Sequence, residues 1–228
     1  VFRQLNVTEE DARIAADVLV QANLRGIDSH GVARLARYVN GLGDGVMLAR
    51  PEETVITETP TTITVDAGAG LGQPVSYRAM KTAIGKAREY GSGFATVRNS
   101  NHYGIAGYYA MMALEEDMIG ISTTNAAVLV VPTFGRNAMY GTNPIALAVP
   151  AGKERPFVMD MATSTVPRGK LEVYNRQEKN IFNKERLSRP VSYYASIRPN
   201  NFAREEAARA EAEAAKAAKK AAREKASG

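Results

Sequence analysis

Asp66-Ala67-Gly68-Ala69-Gly70-Leu71-Gly72-Gln73-Pro74 is the stretch on which the fold turns. Three closely spaced glycines after a β-branched segment resemble a dinucleotide-binding loop, but that loop needs the spacing G-x-G-x-x-G. Here the third glycine comes one residue early, and no acid follows about twenty residues on, after a second strand, to meet a ribose. The stretch therefore reads as a tight turn running into a helix, with Pro74 at its first position. Ala79, Ala83, Ala87 and Tyr90 continue the helix, and Gly91-Ser92-Gly93 ends it. The dinucleotide-binding fingerprint is therefore rejected.

Upstream, Thr54–Asp66 is rich in Thr, Val and Ile and interrupted by Pro60, which predicts short strands. Downstream, strand and helix alternate: a strand over Phe94–Arg98, a helix over about Ile105–Asp117, a strand over Ile119–Thr124, and apolar strands over Ile145–Val149 and Phe157–Met161. Alternation with short buried strands predicts an α/β architecture with a mixed sheet. At the N-terminus, Thr8 before Glu9, Glu10 and Asp11 predicts a capped helix reaching Leu24. A second helix is expected from Asp28-Ser29, with Leu35, Tyr38, Val39 and Leu42 on one stripe, ending at Gly41, Gly43 and Gly45.

On that second helix His30, Arg34 and Tyr38 fall at i, i+4 and i+8 and would share an exposed face. Arginine grips a carboxylate through a planar fork, and histidine exchanges a proton near neutral pH. The other reading is a capped helix with ordinary solvated charges. Asn99-Ser100-Asn101-His102-Tyr103-Gly104 lies between a strand and a helix, where sites gather in α/β proteins, although His102 would also serve as a turn residue. Thr123-Thr124-Asn125 and Gly141-Thr142-Asn143-Pro144 offer amides and hydroxyls beside apolar strands. In Phe157–Ser164 a hydrophobic strand carries Asp160 into small residues; Asp160 is either a hydroxyl acceptor for a ligand or a buried, capped acid.

With 45% hydrophobic and 23% charged residues among 228, the chain is an ordinary globular one that can bury a core. No apolar run reaches the roughly 18–20 residues of a membrane helix. Val1-Phe2-Arg3-Gln4 is neither an initiator start nor a signal peptide, so a fragment boundary or processed end is expected. The absence of cysteine excludes thiol nucleophiles and fits a cytoplasmic location. Two histidines are too few for a poly-histidine metal centre, and no metal is expected. The net charge of +5 is unevenly placed. Residues 1–174 carry 16 basic and 17 acidic side chains, whereas residues 175–228 carry 13 and 7. Only the tail could then meet nucleic acid.

Taken in order, Arg25–Gly31, Asn101–Gly104, Gly141–Ile145, Phe157–Ser164 and Arg168-Gly169-Lys170 resemble the malate/L-lactate dehydrogenase family, which includes ureidoglycolate, sulfolactate and diketogulonate oxidoreductases. The resemblance covers about residues 2–174. It implies a non-Rossmann dehydrogenase-like α/β fold, NAD or NADP as hydride carrier, a small 2-hydroxy or 2-oxo acid as substrate, and a homodimer. It implies His30 and His102 as acid/base candidates without choosing between them, and Ser29, Arg34 and Tyr38 as the substrate pocket. Asn125, Asn143, Asp160, Met161 and Ala162 correspond to cofactor contacts. At Ala126 the family often carries a hydroxyl.

Three regions are expected: residues 1–60 as a helical substrate-pocket region, 61–174 as an α/β cofactor region, and 175–228 as an atypical basic tail. Residues 203–226 comprise 12 alanines and 12 charged residues, which predicts a solvated helix or a disordered extension. The fold is thus expected to be incomplete, with apolar strand surface left to associate and weak catalysis at best. The alternatives are a working subunit, a non-catalytic fragment, and a chimera whose tail binds an acidic partner such as RNA.

Overall fold

The computed structural model describes residues 1–132 and 134–164. Expectations for Arg168-Gly169-Lys170 and for the tail lie outside them. Helix α1, Glu9–Leu24, opens as the sequence predicts: the Thr8 hydroxyl accepts from the Asp11 N–H at 3.2 Å, beneath three acids in the first turn. One stripe of it, including Ala15, Val18, Leu19 and Ala22, is at most 2% exposed. Phe2, Val7, Met47 and Leu71 close over this stripe together with Tyr38 of helix α2, Leu35–Gly43, and make the first core.

The second helix departs from expectation. Residues 28–34 form two short 3-10 turns, Asp28–His30 and Val32–Arg34, broken at Gly31, and α2 starts only at Leu35. Asn23 at the end of α1 is the cause. Its Nδ2 donates to the Asp28 carboxylate at 2.5 Å and its Oδ1 accepts from the Val32 N–H at 2.8 Å. The second bond takes up a backbone N–H that a continuous helix would use, and the first holds Asp28 against the end of α1. His30, Arg34 and Tyr38 therefore do not share one exposed helical face. Tyr38 is wholly buried on the apolar stripe.

Strands β1, Thr54–Glu58, and β2, Thr62–Asp66, form an antiparallel hairpin, and β2 pairs in parallel with β3, Phe94–Arg98. The hairpin spans residue 60, so the N-terminal region and the one following it share a sheet. Parallel pairing requires a crossover, supplied by α3, Gly72–Tyr90. This helix starts two residues before Pro74, which is its third residue rather than its first. It ends at Gly91 with φ 82°, a left-handed cap that glycine adopts freely. Gly72 is required for a different reason: a Cβ there would stand 2.1 Å from the Asn101 carbonyl oxygen.

Helix α4, Ala106–Met112, continues into a 3-10 turn to Glu116, shorter as an α-helix than its sequence suggests. It packs on a second sheet of antiparallel strands β4, Gly120–Thr123, β5, Ile145–Val149, and β6, Phe157–Met161. Ala106 and Ala110 meet Ala146 and Ala148, small side chains that let helix and sheet approach closely. The opposite face leaves apolar strand surface uncovered. Ile121, Ile145, Phe157 and Met161 are 40–61% exposed, with no described element over them.

Candidate active site

The loop after β3 and the turns after α1 converge on a pair of imidazoles. The rings of His30 and His102 stack with centroids 5.4 Å apart and an interplanar angle of 21°. The Ser29 hydroxyl lies 2.9 Å from His30 Nδ1, and Arg34 Nε donates to the Ser29 carbonyl at 2.7 Å. Behind them, the Tyr38 hydroxyl lies 2.6 Å from His102 Nδ1. Ser29, His30, Arg34, Tyr38 and His102 thus form one cluster although His102 is 64 residues from Tyr38 in the chain.

The backbone fixes which nitrogen of His102 carries the proton. The Gly104 N–H, which can only donate, points at His102 Nδ1 at 3.3 Å. Nδ1 is then an acceptor, the Tyr38 hydroxyl donates to it, and the neutral ring holds its proton on Nε2. Burial, followed by the nearby His30, Arg37 and Arg34, lowers the pKa of His102 to about 3, so the ring is neutral throughout the physiological range. Burial likewise pushes the Tyr38 phenol far above its ordinary value, despite Arg37 and Arg34 nearby. The hydroxyl therefore stays protonated and able to donate.

A second group of expected residues gathers at one end of the β4–β5–β6 sheet, where Thr123, Ile145 and Met161 are in register. Asn143 Oδ1 accepts from the Ala126 N–H at 2.9 Å, tying the residue after Asn125 to the loop before β5. The Thr163 N–H donates to the Thr142 carbonyl at 2.9 Å, which brings Ala162 to the same edge. Asn125 and Met161 are exposed there. Asp160 faces the other way: its carboxylate accepts from the Gly107 N–H at 2.7 Å and caps the first turn of α4. Burial raises its pKa, partly offset by that bond and by Arg25. A Cβ on Gly107 would lie 2.9 Å from the carboxylate, so the cap depends on glycine.

The two groups meet around Tyr103, next to His102. Its ring stacks on Tyr109 at 4.8 Å, its hydroxyl lies 3.3 Å from the Ser122 hydroxyl, and burial with the nearby Asp160 brings its pKa to about 12. Sequence reasoning missed Asn23, which moors the Ser29–His30 turn. The Asn23 signal is an amide five residues before Asp28, at the end of α1. Among the described residues no group of three or more His, Asp or Glu could hold a metal ion, and no helix is long and apolar enough to cross a membrane.

The sequence profile described as malate/L-lactate dehydrogenase matches residues 1–187, thirteen beyond Tyr174. The chain is 58% identical over 181 residues to malate dehydrogenase of Pyrococcus horikoshii, covering 79% of this chain and 50% of that protein. It is 44% identical over 171 residues to L-sulfolactate dehydrogenase of Methanocaldococcus jannaschii, covering 75% and 49%. The fold matches the crystal structure of malate dehydrogenase from Entamoeba histolytica with a TM-score of 0.77 at 40% identity, over 79% of this chain and 50% of that one. The chain spans about half the length of the relatives it matches.

Proposed function

From the premise that this chain belongs to the malate/L-lactate dehydrogenase family, we propose that its histidine pair serves the interconversion of a small 2-hydroxy acid and its 2-oxo acid with NAD or NADP. The observation that carries this reading is the convergence of Ser29, His30, Arg34 and His102 from two distant loops onto one cluster. Such an assembly has a proton carrier, a carboxylate fork and a neutral hydrogen-bond donor within a few ångströms.

The parts divide by geometry. Arg34, whose Nε is bonded to the Ser29 carbonyl, carries a planar guanidinium that suits a carboxylate. His102, neutral with its proton on Nε2, donates a hydrogen bond to the substrate oxygen rather than carrying a full charge. His30, beside the Ser29 hydroxyl, is left as the group that gains and loses the substrate proton. Tyr38 has no exposed surface, so its part shifts from touching substrate to holding His102.

The residues at the end of the second sheet fit a dinucleotide. Asn125 presents an exposed amide, Met161 an apolar surface, and Ala162 a small residue that permits close approach. Gly141 is packed so tightly on the Ala126 carbonyl that a Cβ would stand 2.3 Å from it, which keeps the Asn143 loop flat against that edge. A bound nicotinamide supplies the hydride chemistry; the protein binds, orients and excludes water. A homodimer and the region that relatives carry beyond the match would complete the walls, and a cytoplasmic setting suits both cofactors. The test is oxidation of NADH or NADPH by the purified chain with oxaloacetate, pyruvate and sulfopyruvate. Saturable turnover with any of them supports the assignment, and none with all three opposes it.

A further inference from the structure

The Gly104 N–H sets the proton of His102 only while its own peptide unit keeps its orientation. That unit joins the Tyr103 carbonyl to the Gly104 N–H, and in a trans peptide the two groups point in opposite directions. Local sterics do not choose between its two orientations. Gly104 has φ 88°, and half a turn of the peptide carries it to negative φ, which glycine adopts about as readily. No other residue fits there, since a Cβ would stand 2.5 Å from Val18 Cγ1. The Tyr38 hydroxyl does not choose either. A phenol both donates and accepts, so it can meet His102 Nδ1 in either protonation state.

The orientation is held from the carbonyl end. The Tyr109 hydroxyl, on α4, donates to the Tyr103 carbonyl oxygen. Tyr109 is 1% exposed, with its ring stacked on Tyr103 at 4.8 Å and edge-on to Tyr108 at 5.3 Å. Tyr108 is tied in turn to α1, its hydroxyl donating to the Asp17 carboxylate at 2.7 Å. Packed between two rings, Tyr109 keeps its hydroxyl in one place.

We infer that Tyr109 is a positioning residue of the proposed active site: its hydroxyl locks the Tyr103–Gly104 peptide in the one orientation that aims the Gly104 N–H at His102 Nδ1. With the peptide reversed, a carbonyl oxygen would face Nδ1 and draw the ring proton there. Nε2 would then meet the substrate oxygen with a lone pair instead of a donor. The inference rests on the proposed function for its catalytic meaning, whereas the peptide lock stands without it.

The test uses the full 228-residue chain with ¹⁵N-labelled histidine, which contains only two imidazoles. His30→Gln tells their signals apart, and two-bond ¹⁵N–¹H correlations read each tautomer. His102 of the unsubstituted protein should show Nε2–H. Tyr109→Phe keeps the ring and its stacking but leaves the carbonyl without its donor. Loss of one such bond should weaken the observed orientation by about 10-fold, with Nδ1–H appearing as its share falls. Tyr108→Phe, which removes a neighbouring tyrosine hydroxyl bond on the same helix, should leave the His102 signals unchanged. An unaltered tautomer in folded Tyr109→Phe overturns the inference. So does an equal shift in Tyr108→Phe, which would mean general loosening of α4. If Tyr109→Phe does not fold, the unsubstituted protein decides. Its Tyr109 hydroxyl proton should exchange slowly and show a nuclear Overhauser contact to the Gly104 α-protons, and absence of that contact sinks the idea.

With 2-oxo acid, kcat of Tyr109→Phe should fall by the factor by which its Nε2–H population falls, with little change in KM. A shifted tautomer in a chain that reduces no 2-oxo acid would leave the peptide lock intact and refute the proposed function. Turnover with an unaltered tautomer would do the reverse.

Discussion

Replacing His102 by Gln removes a titrating ring while retaining an amide that can accept from Tyr38. In the folded chain His102 has a pKa of about 3, against 6.5 for an ordinary histidine. Between those limits the unfolded chain binds a proton that the folded chain refuses, so the stability held above pH 6.5 is lost as the pH falls toward 3. At 1.36 kcal/mol for each pH decade the full loss is at most about 5 kcal/mol, and about 2–3 kcal/mol of it accrues by pH 4.5. Part of the depression comes from His30 and the two arginines rather than from burial, so the lower half of that range is the expectation. Urea denaturation of both proteins at pH 7, 6, 5 and 4.5 measures it. The carboxylates titrate alike in both, so the difference between the two curves isolates the histidine. The stability gap should narrow as the solution is acidified, by about 2 kcal/mol over this span. Parallel curves would refute the claim that His102 is buried in its neutral form.

Three further outcomes are expected. His30→Ala should lower 2-oxo-acid turnover by roughly 10²–10⁴-fold, as loss of a proton carrier does, and steady-state assay across pH checks it. Arg34→Lys keeps the charge but not the fork, so KM for the 2-oxo acid should rise while NADH affinity, followed by fluorescence titration, stays constant. Asp160→Ala removes the side-chain acceptor from the first turn of α4 and should cost about 0.5–2 kcal/mol in urea unfolding, more than surface Asp→Ala changes.

What the chain reveals before folding is governed by how local the signal is. Thr8 with its three acids, the β-branched run around Pro60, and the apolar strands over Ile145–Val149 and Phe157–Met161 are each decided within a few residues, and the structure has them where expected. The helix at Asp28 failed because the residue that breaks it, Asn23, belongs to the preceding helix and acts through its side chain. The same holds within the site. His30 and His102 were visible as polar motifs, but their stacking, the donor that sets the tautomer, and the burial of Tyr38 all depend on segments that meet only in three dimensions. Asp160 has two readings in the sequence, and its bond from the Gly107 N–H joins segments that meet only in the fold.

The bond from the Val32 N–H to Asn23 has a consequence in time as well as in shape. That amide sits outside regular helix, in a turn three residues long, where backbone protons normally exchange with solvent quickly. Tethered at 2.8 Å to the Asn23 side chain at the end of α1, it is slowed in exchange for as long as the turn stays on that helix. The Gly107 N–H, held by Asp160, gives the corresponding gauge on the other flank. Hydrogen–deuterium exchange at these two amides therefore clocks the opening of each side of the cluster separately, and shows which of them yields first when a 2-oxo acid or a dinucleotide is added.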